Sequence, residues 1–180
     1  MAKKKSNNKV TLLGAFIIFL IVLVNQYISP TPDITTNPAT SIIPDGKLQI
    51  HYIDVGQADA TLLTLNDSAM LIDAGNNADG DLVVNYIKDM GISSLDYVIG
   101  THPHEDHIGG LDDVINSFNI ETIIMPKVQT NTKTFEDVLD AISKKNLNIT
   151  TPNVGDDYDF SEAEFEILSC KIFCFGFCLS

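Results

Sequence analysis

The chain has 180 residues, 44% of them apolar, with 24 acidic residues against 11 lysines and a formal charge of −13. That length and apolar share suit one domain with a sizeable core of its own. The acidity disfavours tight binding of DNA by this chain, because protein affinity for nucleic acid rests on Lys and Arg neutralising phosphates.

The charge is uneven along the chain. There is no arginine, and Lys3, Lys4, Lys5 and Lys9 all precede the first acidic residue. From Ile28 onward 24 acidic residues face seven lysines, a formal charge of −17. Behind the leading lysines, residues 10–24 form a continuous apolar run that ends in Asn25-Gln26-Tyr27. Extended through Ile28 as a helix, the run spans about 19 residues or roughly 28 Å, close to the hydrocarbon thickness of a bilayer. Residues 1–28 are therefore expected to be cytoplasmic lysines followed by a single-pass membrane anchor, with the remainder on the extracytoplasmic side. The alternative is a cleaved signal and a secreted domain. No Ala-x-Ala site follows the run directly, and Pro30 stands where cleavage would fall. Residues 29–46 hold Pro30, Pro32, Pro38 and Pro44 with interspersed Ser and Thr, a composition that favours an extended linker.

A domain is expected over residues 47–169. Leu48, Ile50 and Tyr52 alternate with Gln49, His51 and Ile53, as in a strand with one buried face. His51 belongs to this alternation and is read as an ordinary strand residue. Strands are expected at 61–65 and 69–73 around a turn at Asn66-Asp67-Ser68. A helix follows over 81–90, stopped by Gly91, and then a buried strand at 95–100. Apolar residues Ile108, Leu111, Val114, Ile115 and Phe118 place a helix over 107–118. A strand at 121–125, a helix over 134–145 capped by Thr134, and a strand at 164–168 complete the series. Asp156, Asp157 and Asp159 read as a solvated acidic loop. Strands first and then alternation with helices suit an α/β layer.

Residues 101–110, Thr-His-Pro-His-Glu-Asp-His-Ile-Gly-Gly, carry the chemistry. His102, His104 and His107, three of the four histidines, fall within six positions, with Asp106 beside the last. Neutral imidazole and carboxylate are ligands suited to zinc and similar transition metals. The cluster lies on an expected strand-to-helix loop, where side chains converge at the edge of a rigid scaffold.

His-Pro-His-Glu-Asp-His resembles the His-x-His-x-Asp-His signature of the metallo-β-lactamase-fold hydrolases. His51-Tyr52-Ile53-Asp54-Val55-Gly56-Gln57-Ala58-Asp59-Ala60 resembles the opening of the hydrolase domain of late-competence, ComEC-type proteins. Met70-Leu71-Ile72-Asp73-Ala74-Gly75 resembles the strand-ending aspartate of the same group. Ala58 stands where that pattern usually has glycine; if the position needs φ > 0, the turn is strained by around 1 kcal/mol.

The resemblance covers residues 47–169 and implies the N-terminal half of an αββα metallo-β-lactamase sandwich, truncated at its C-terminal side. It implies two zinc ions, with manganese as the alternative, that acidify water for attack on an ester, amide or phosphodiester. His102 and His104 would ligate one ion, and Asp106 and His107 the other, with Asp106 also counted as catalytic. Asp73 would orient ligands without binding metal, or else simply cap the turn before Gly75. Asp54 and Asp59 could line the same edge or simply be solvated.

Two side chains per ion fall short of the three that a catalytic zinc normally has, and no histidine follows His107. No hydrolysis of phosphodiester or ester substrates above a metal-only blank is therefore expected of residues 47–180 as they stand, and a catalytically inactive truncated metal-binding or interaction module is the alternative function. Residues 170–180 hold all three cysteines and three of the nine phenylalanines. Cys-x3-Cys-x3-Cys is not a usual zinc spacing and three cysteines cannot all pair within one chain, so this tail reads as a premature end such as a shifted reading frame.

Overall fold

The computed structural model describes residues 46–128 and 130–169. The expected anchor over 10–28, nearly all of the linker and the Cys/Phe tail lie outside the described residues. Among those described, no helix is long and apolar enough to cross a membrane.

One six-stranded mixed sheet organises the domain. Its strands are β1 (Gln49–Tyr52), β2 (Thr61–Leu65), β3 (Ser68–Ile72), β4 (Ser94–Ile99), β5 (Asn119–Ile124) and β6 (Ile149–Thr150), hydrogen-bonded in that order. β1, β2 and β3 pair antiparallel, whereas β3, β4, β5 and β6 are parallel. Parallel neighbours need crossovers. These are helix α1 (Gly80–Asp89), the pair α2 (Glu105–Ile108) and α3 (Leu111–Ser117), and α4 (Lys133–Lys144). A separate antiparallel hairpin is made by β7 (Asp157–Phe160) and β8 (Ala163–Glu166).

Side chains alternate across a strand, and the two faces of the sheet have different fates. Leu62, Leu71, Val98 and Ile123 join Val83 and Ile87 of α1, Leu111, Val114 and Ile115 of α3, and Val138 and Ile142 of α4 in the main core. On the other face Met70 packs with Leu65 and with Phe160 of the hairpin, next to Leu63, Ile72, Tyr97, Ile99 and Phe165. Tyr97 fastens the hairpin there: its hydroxyl donates to the Asp159 carbonyl at 2.8 Å and its ring meets Phe165 edge-on at 5.2 Å. Burial foremost, with nearby carboxylates, raises the Tyr97 hydroxyl above its ordinary value of 10.0.

The hairpin covers only part of that face. Leu48, Ile50 and Tyr52 are 51%, 49% and 82% exposed, and a groove of about 370 Å³ opens between Leu63, Met70, Ile72, Ile99, Ile124 and Phe165. The period-2 reading of 48–53 therefore places the strand correctly but inverts its inner face. Gln49 and His51 turn towards the helices, and the apolar set lies on the side that the hairpin leaves open.

Other expectations shift in instructive ways. The helix expected over 107–118 begins at Glu105 and breaks into α2 and α3 at Gly109-Gly110. Both glycines sit at close backbone approach: a Cβ on Gly109 would lie 2.2 Å from Asn76 C and Asn77 N, and one on Gly110 2.5 Å from Ala74 O. The cap of α4 is Thr132, whose hydroxyl accepts from Phe135 N at 3.4 Å. Thr134 is instead buried and donates to Asn77 Oδ1 at 3.2 Å. Asp157 and Asp159 form strand β7, and Asp156 accepts from Asn153 N at 2.7 Å in the turn before it. Ala58 is not among the positive-φ residues; Gly56, at φ 69°, takes the turn, so Ala58 costs no backbone strain.

Gly109→Ala is expected to cost about 3 kcal/mol or more, because backbone and not a pliant side chain must give way. Gly91→Ala, at φ 78° with open space around it, should cost only about 1 kcal/mol. Urea denaturation of the two variants checks the order.

Candidate metal centre

The topology brings three loops to one edge of the sheet. β1 and β3 are both antiparallel to β2, so β1 ends on the same side as β3 and its parallel neighbour β4. The loop after β1 carries Asp54 and Asp59, the residue after β3 is Asp73, and the loop after β4 carries Thr101, His102 and His104 into α2. The carboxyl ends of parallel strands are where α/β sheets generally place their sites.

Backbone hydrogen bonds tie the loops together. Asp59 N donates to Asp106 O at 3.0 Å, Gly75 N to Asp59 O at 2.9 Å, and Ala74 N to His107 O at 2.7 Å. The side chains on these segments are therefore set by a common framework.

Asp73 lies at the centre. It has φ 57°, a left-handed conformation that costs an L-residue roughly 1–2 kcal/mol, although Asp visits it more readily than most. Its side chain is 4% exposed. Oδ1 accepts from Thr101 N at 2.8 Å, and Oδ2 from Thr101 Oγ1 at 2.6 Å and His107 Nδ1 at 2.8 Å. An ionised carboxylate only accepts, so His107 Nδ1 carries the hydrogen, and in the neutral form of the ring the lone pair is on Nε2. That nitrogen lies 3.5 Å from Asp59 Oδ2 and 3.8 Å from Asp106 Oδ2.

His102 lies against both of its neighbours, with ring centroids 3.8 Å from His107 and 4.7 Å from His104. Burial foremost, then His107 and His104, holds the His102 imidazole below its ordinary value of 6.5. It is thus biased towards the neutral form that can bind a metal.

The residues singled out by sequence do not all come together. His102, His104, Asp106 and His107 lie on the segment from β4 to α2, and Asp73 is bonded to His107. Asp59, left open by sequence, comes to His107, whereas Asp54 Oδ1 accepts from Gly56 N at 3.2 Å in its own turn. His51 lies on β1 with Nδ1 3.0 Å from the Tyr86 hydroxyl. Thr101 was not foreseen, although its place between a strand end and the first histidine was a signal.

The donor chemistry fits a transition-metal ion, since imidazoles and carboxylates lie side by side on the segments around His107. His102 and His104, with Asp106 and His107, are the residues that would hold such ions. The arrangement is not a finished coordination shell. Among the described residues no three His, Cys, Asp or Glu side chains are gathered to hold one ion together, since His102 packs ring against ring on its neighbours.

His104→Ala is expected to remove most of the zinc or manganese that the protein retains, and His51→Ala to change it little. Metal content per chain by elemental analysis reads both.

The metallo-beta-lactamase superfamily model matches residues 53–171. ComE operon protein 3 of Bacillus subtilis (strain 168) is 24% identical over an alignment of 139 residues that covers 67% of this chain and 18% of that protein. The "Probable metallo-hydrolase YqgX" of the same organism is 38% identical over 64 residues, 36% of this chain and 29% of the relative. The chain therefore spans less than a third of the length of either relative. Among solved structures, a Cronobacter sakazakii metallo-beta-lactamase HARLDQ motif mutant superposes with a TM-score of 0.48 at 15% identity, over 64% of this chain and 47% of that one. With two thirds of its length matched by the family model, the chain belongs to the metallo-beta-lactamase superfamily.

Proposed function

We propose that this domain is a metal-dependent hydrolase of phosphodiester or ester bonds, held on the extracytoplasmic side of a membrane by residues 10–28. The observation that carries the chemistry is the setting of His107. Buried Asp73 fixes its Nδ1–H, so the Nε2 lone pair turns towards the carboxylates of Asp59 and Asp106. Electron-rich groups this close repel one another unless a proton or a metal cation lies between them, and a divalent ion would fill that role.

Zinc, or manganese in its place, would supply water acidified to hydroxide near neutral pH and would stabilise charge on the attacked centre. His102 and His104 would bind on one side, Asp106 and His107 on the other. Asp106 and Asp59, both exposed at the rim, are also placed to accept a proton from water. Asp73 keeps His107 in the binding tautomer, a form of support that commonly matters for affinity. Anchoring is supported by the lysine bias in front of the apolar run, which orients such segments with their basic side inside.

A second reading, a metal-binding module without turnover, is favoured by the ligand count. Two side chains per ion are fewer than a catalytic zinc normally has, and the described residues gather no three around one point.

Turnover of bis(p-nitrophenyl) phosphate by the full chain, rising with added zinc or manganese and lost in Asp106→Ala, is the expected result for the hydrolase. A rate equal to that of metal alone, with metal still bound, assigns the second reading. For the anchor, protease added to intact cells should remove the domain and leave a short N-terminal stub. A protected domain overturns the topology, and a soluble form starting near residue 30 favours the cleaved signal.

A further inference from the structure

Thr101 stands between the buried carboxylate and the first histidine, and its hydroxyl has one hydrogen to give. Oγ1 is 2.6 Å from Asp73 Oδ2 and 3.1 Å from His102 Nδ1. The third neighbour, His107 Nδ1, is farther away at 3.5 Å and already has Asp73 Oδ2 at 2.8 Å. The ionised carboxylate cannot donate, so the short contact to Asp73 is where the hydroxyl hydrogen goes. Oγ1 then faces His102 with lone pairs only, and the contact is satisfied only if His102 Nδ1 carries a hydrogen.

We propose that Thr101 is a positioning residue that transmits the charge of Asp73 to His102 and fixes that ring as the Nδ1–H tautomer, with Nε2 open for a metal. One buried carboxylate then sets two histidines: His107 directly, and His102 through a hydroxyl. The backbone holds the relay in register, since Thr101 N donates to Asp73 Oδ1 at 2.8 Å and Asp73 N donates to Ile99 O at 2.9 Å. A free imidazole in water favours the opposite tautomer, with its hydrogen on Nε2. Left to itself, His102 would therefore spend most of its time with its metal-facing nitrogen blocked. Valine at position 101 keeps the shape and loses the relay, whereas serine keeps the hydroxyl.

The functional consequence rests on the metal-centre reading, but the tautomer does not. The test is long-range ¹H–¹⁵N correlation of the imidazoles in the full, metal-free chain at a pH where the rings are neutral. In the wild type both His102 and His107 should show the Nδ1–H pattern. In Thr101→Val, His102 should move to predominantly Nε2–H while His107 stays Nδ1–H, and Thr101→Ser should restore His102. The unmoved His107 shows that the fold and Asp73 are intact, so general unfolding is not mistaken for loss of the relay. Zinc affinity should fall by about tenfold to a hundredfold in Thr101→Val and recover in Thr101→Ser. Nε2–H at His102 in the wild type, or a His102 pattern that Thr101→Val leaves unchanged, overturns the proposal. The expected tautomers together with no zinc uptake by the wild type would leave the relay standing and remove the metal-centre reading instead.

Discussion

The organisation of this domain depends on the buried carboxylate of Asp73. Asp73 is nearly inaccessible, and its contacts are the backbone N–H and hydroxyl of Thr101 and the Nδ1–H of His107. A buried carboxylate is costly unless hydrogen bonds satisfy it. Each of these donors comes from another segment, which the burial of Asp73 therefore fixes. The left-handed backbone at Asp73 is a further cost that only such over-determination sustains. The strain is placed where strand β3 must stop and the chain must turn to present the carboxylate to the neighbouring loop.

Close packing of backbone on backbone makes that arrangement rigid. Gly109 and Gly110 let the start of α3 press against residues 74–77, the segment that follows Asp73. The same approach allows Ala74 N to reach His107 O and Asp59 N to reach Asp106 O. The two glycines therefore do more than end a short helix. They set how near the histidine loop comes to the aspartate it must meet, and an ångström of displacement there would break hydrogen bonds of 2.6–2.8 Å. Local precision of this kind is what a metal site requires of its scaffold.

Sequence alone disclosed the parts whose signal is local. Strand β2 falls where its apolar run placed it, the other main strands and helices fall within a few residues, and the histidine cluster is plain from its composition. What it could not disclose depends on which surfaces meet. The alternation in 48–53 identifies a strand but not which face the helices cover. Leu48, Ile50 and Tyr52 are apolar because they belong to the second face of the sheet, and the hairpin covers only part of that face. Thr132 and Thr134 are equivalent caps by composition, and the buried contact of Thr134 with Asn77 separates them. Asp157 and Asp159 read as loop because strand propensity is overridden by pairing with Glu166 and Glu164 across the hairpin. Thr101 escaped and Asp59 stayed open because neither has a spacing that marks it; each matters through a neighbour more than 25 positions away.

Charge connects the site to the rest of the chain. From Ile28 onward the sequence carries a formal charge of −17, and three carboxylates, Asp59, Asp73 and Asp106, meet at one edge of the sheet. Such a field concentrates divalent cations and repels anionic polymers over distances of about one screening length, roughly 8 Å at physiological salt. Three carboxylates gathered there make the metal-free edge a poor place for a phosphate. Two divalent ions would more than offset those carboxylates and turn the same edge into an anion-accepting one. If the substrate is the phosphodiester proposed above, its binding and metal binding are on this physics a single event: affinity should exist only in the metal-loaded protein. A neutral ester should depend on metal for turnover far more than for binding.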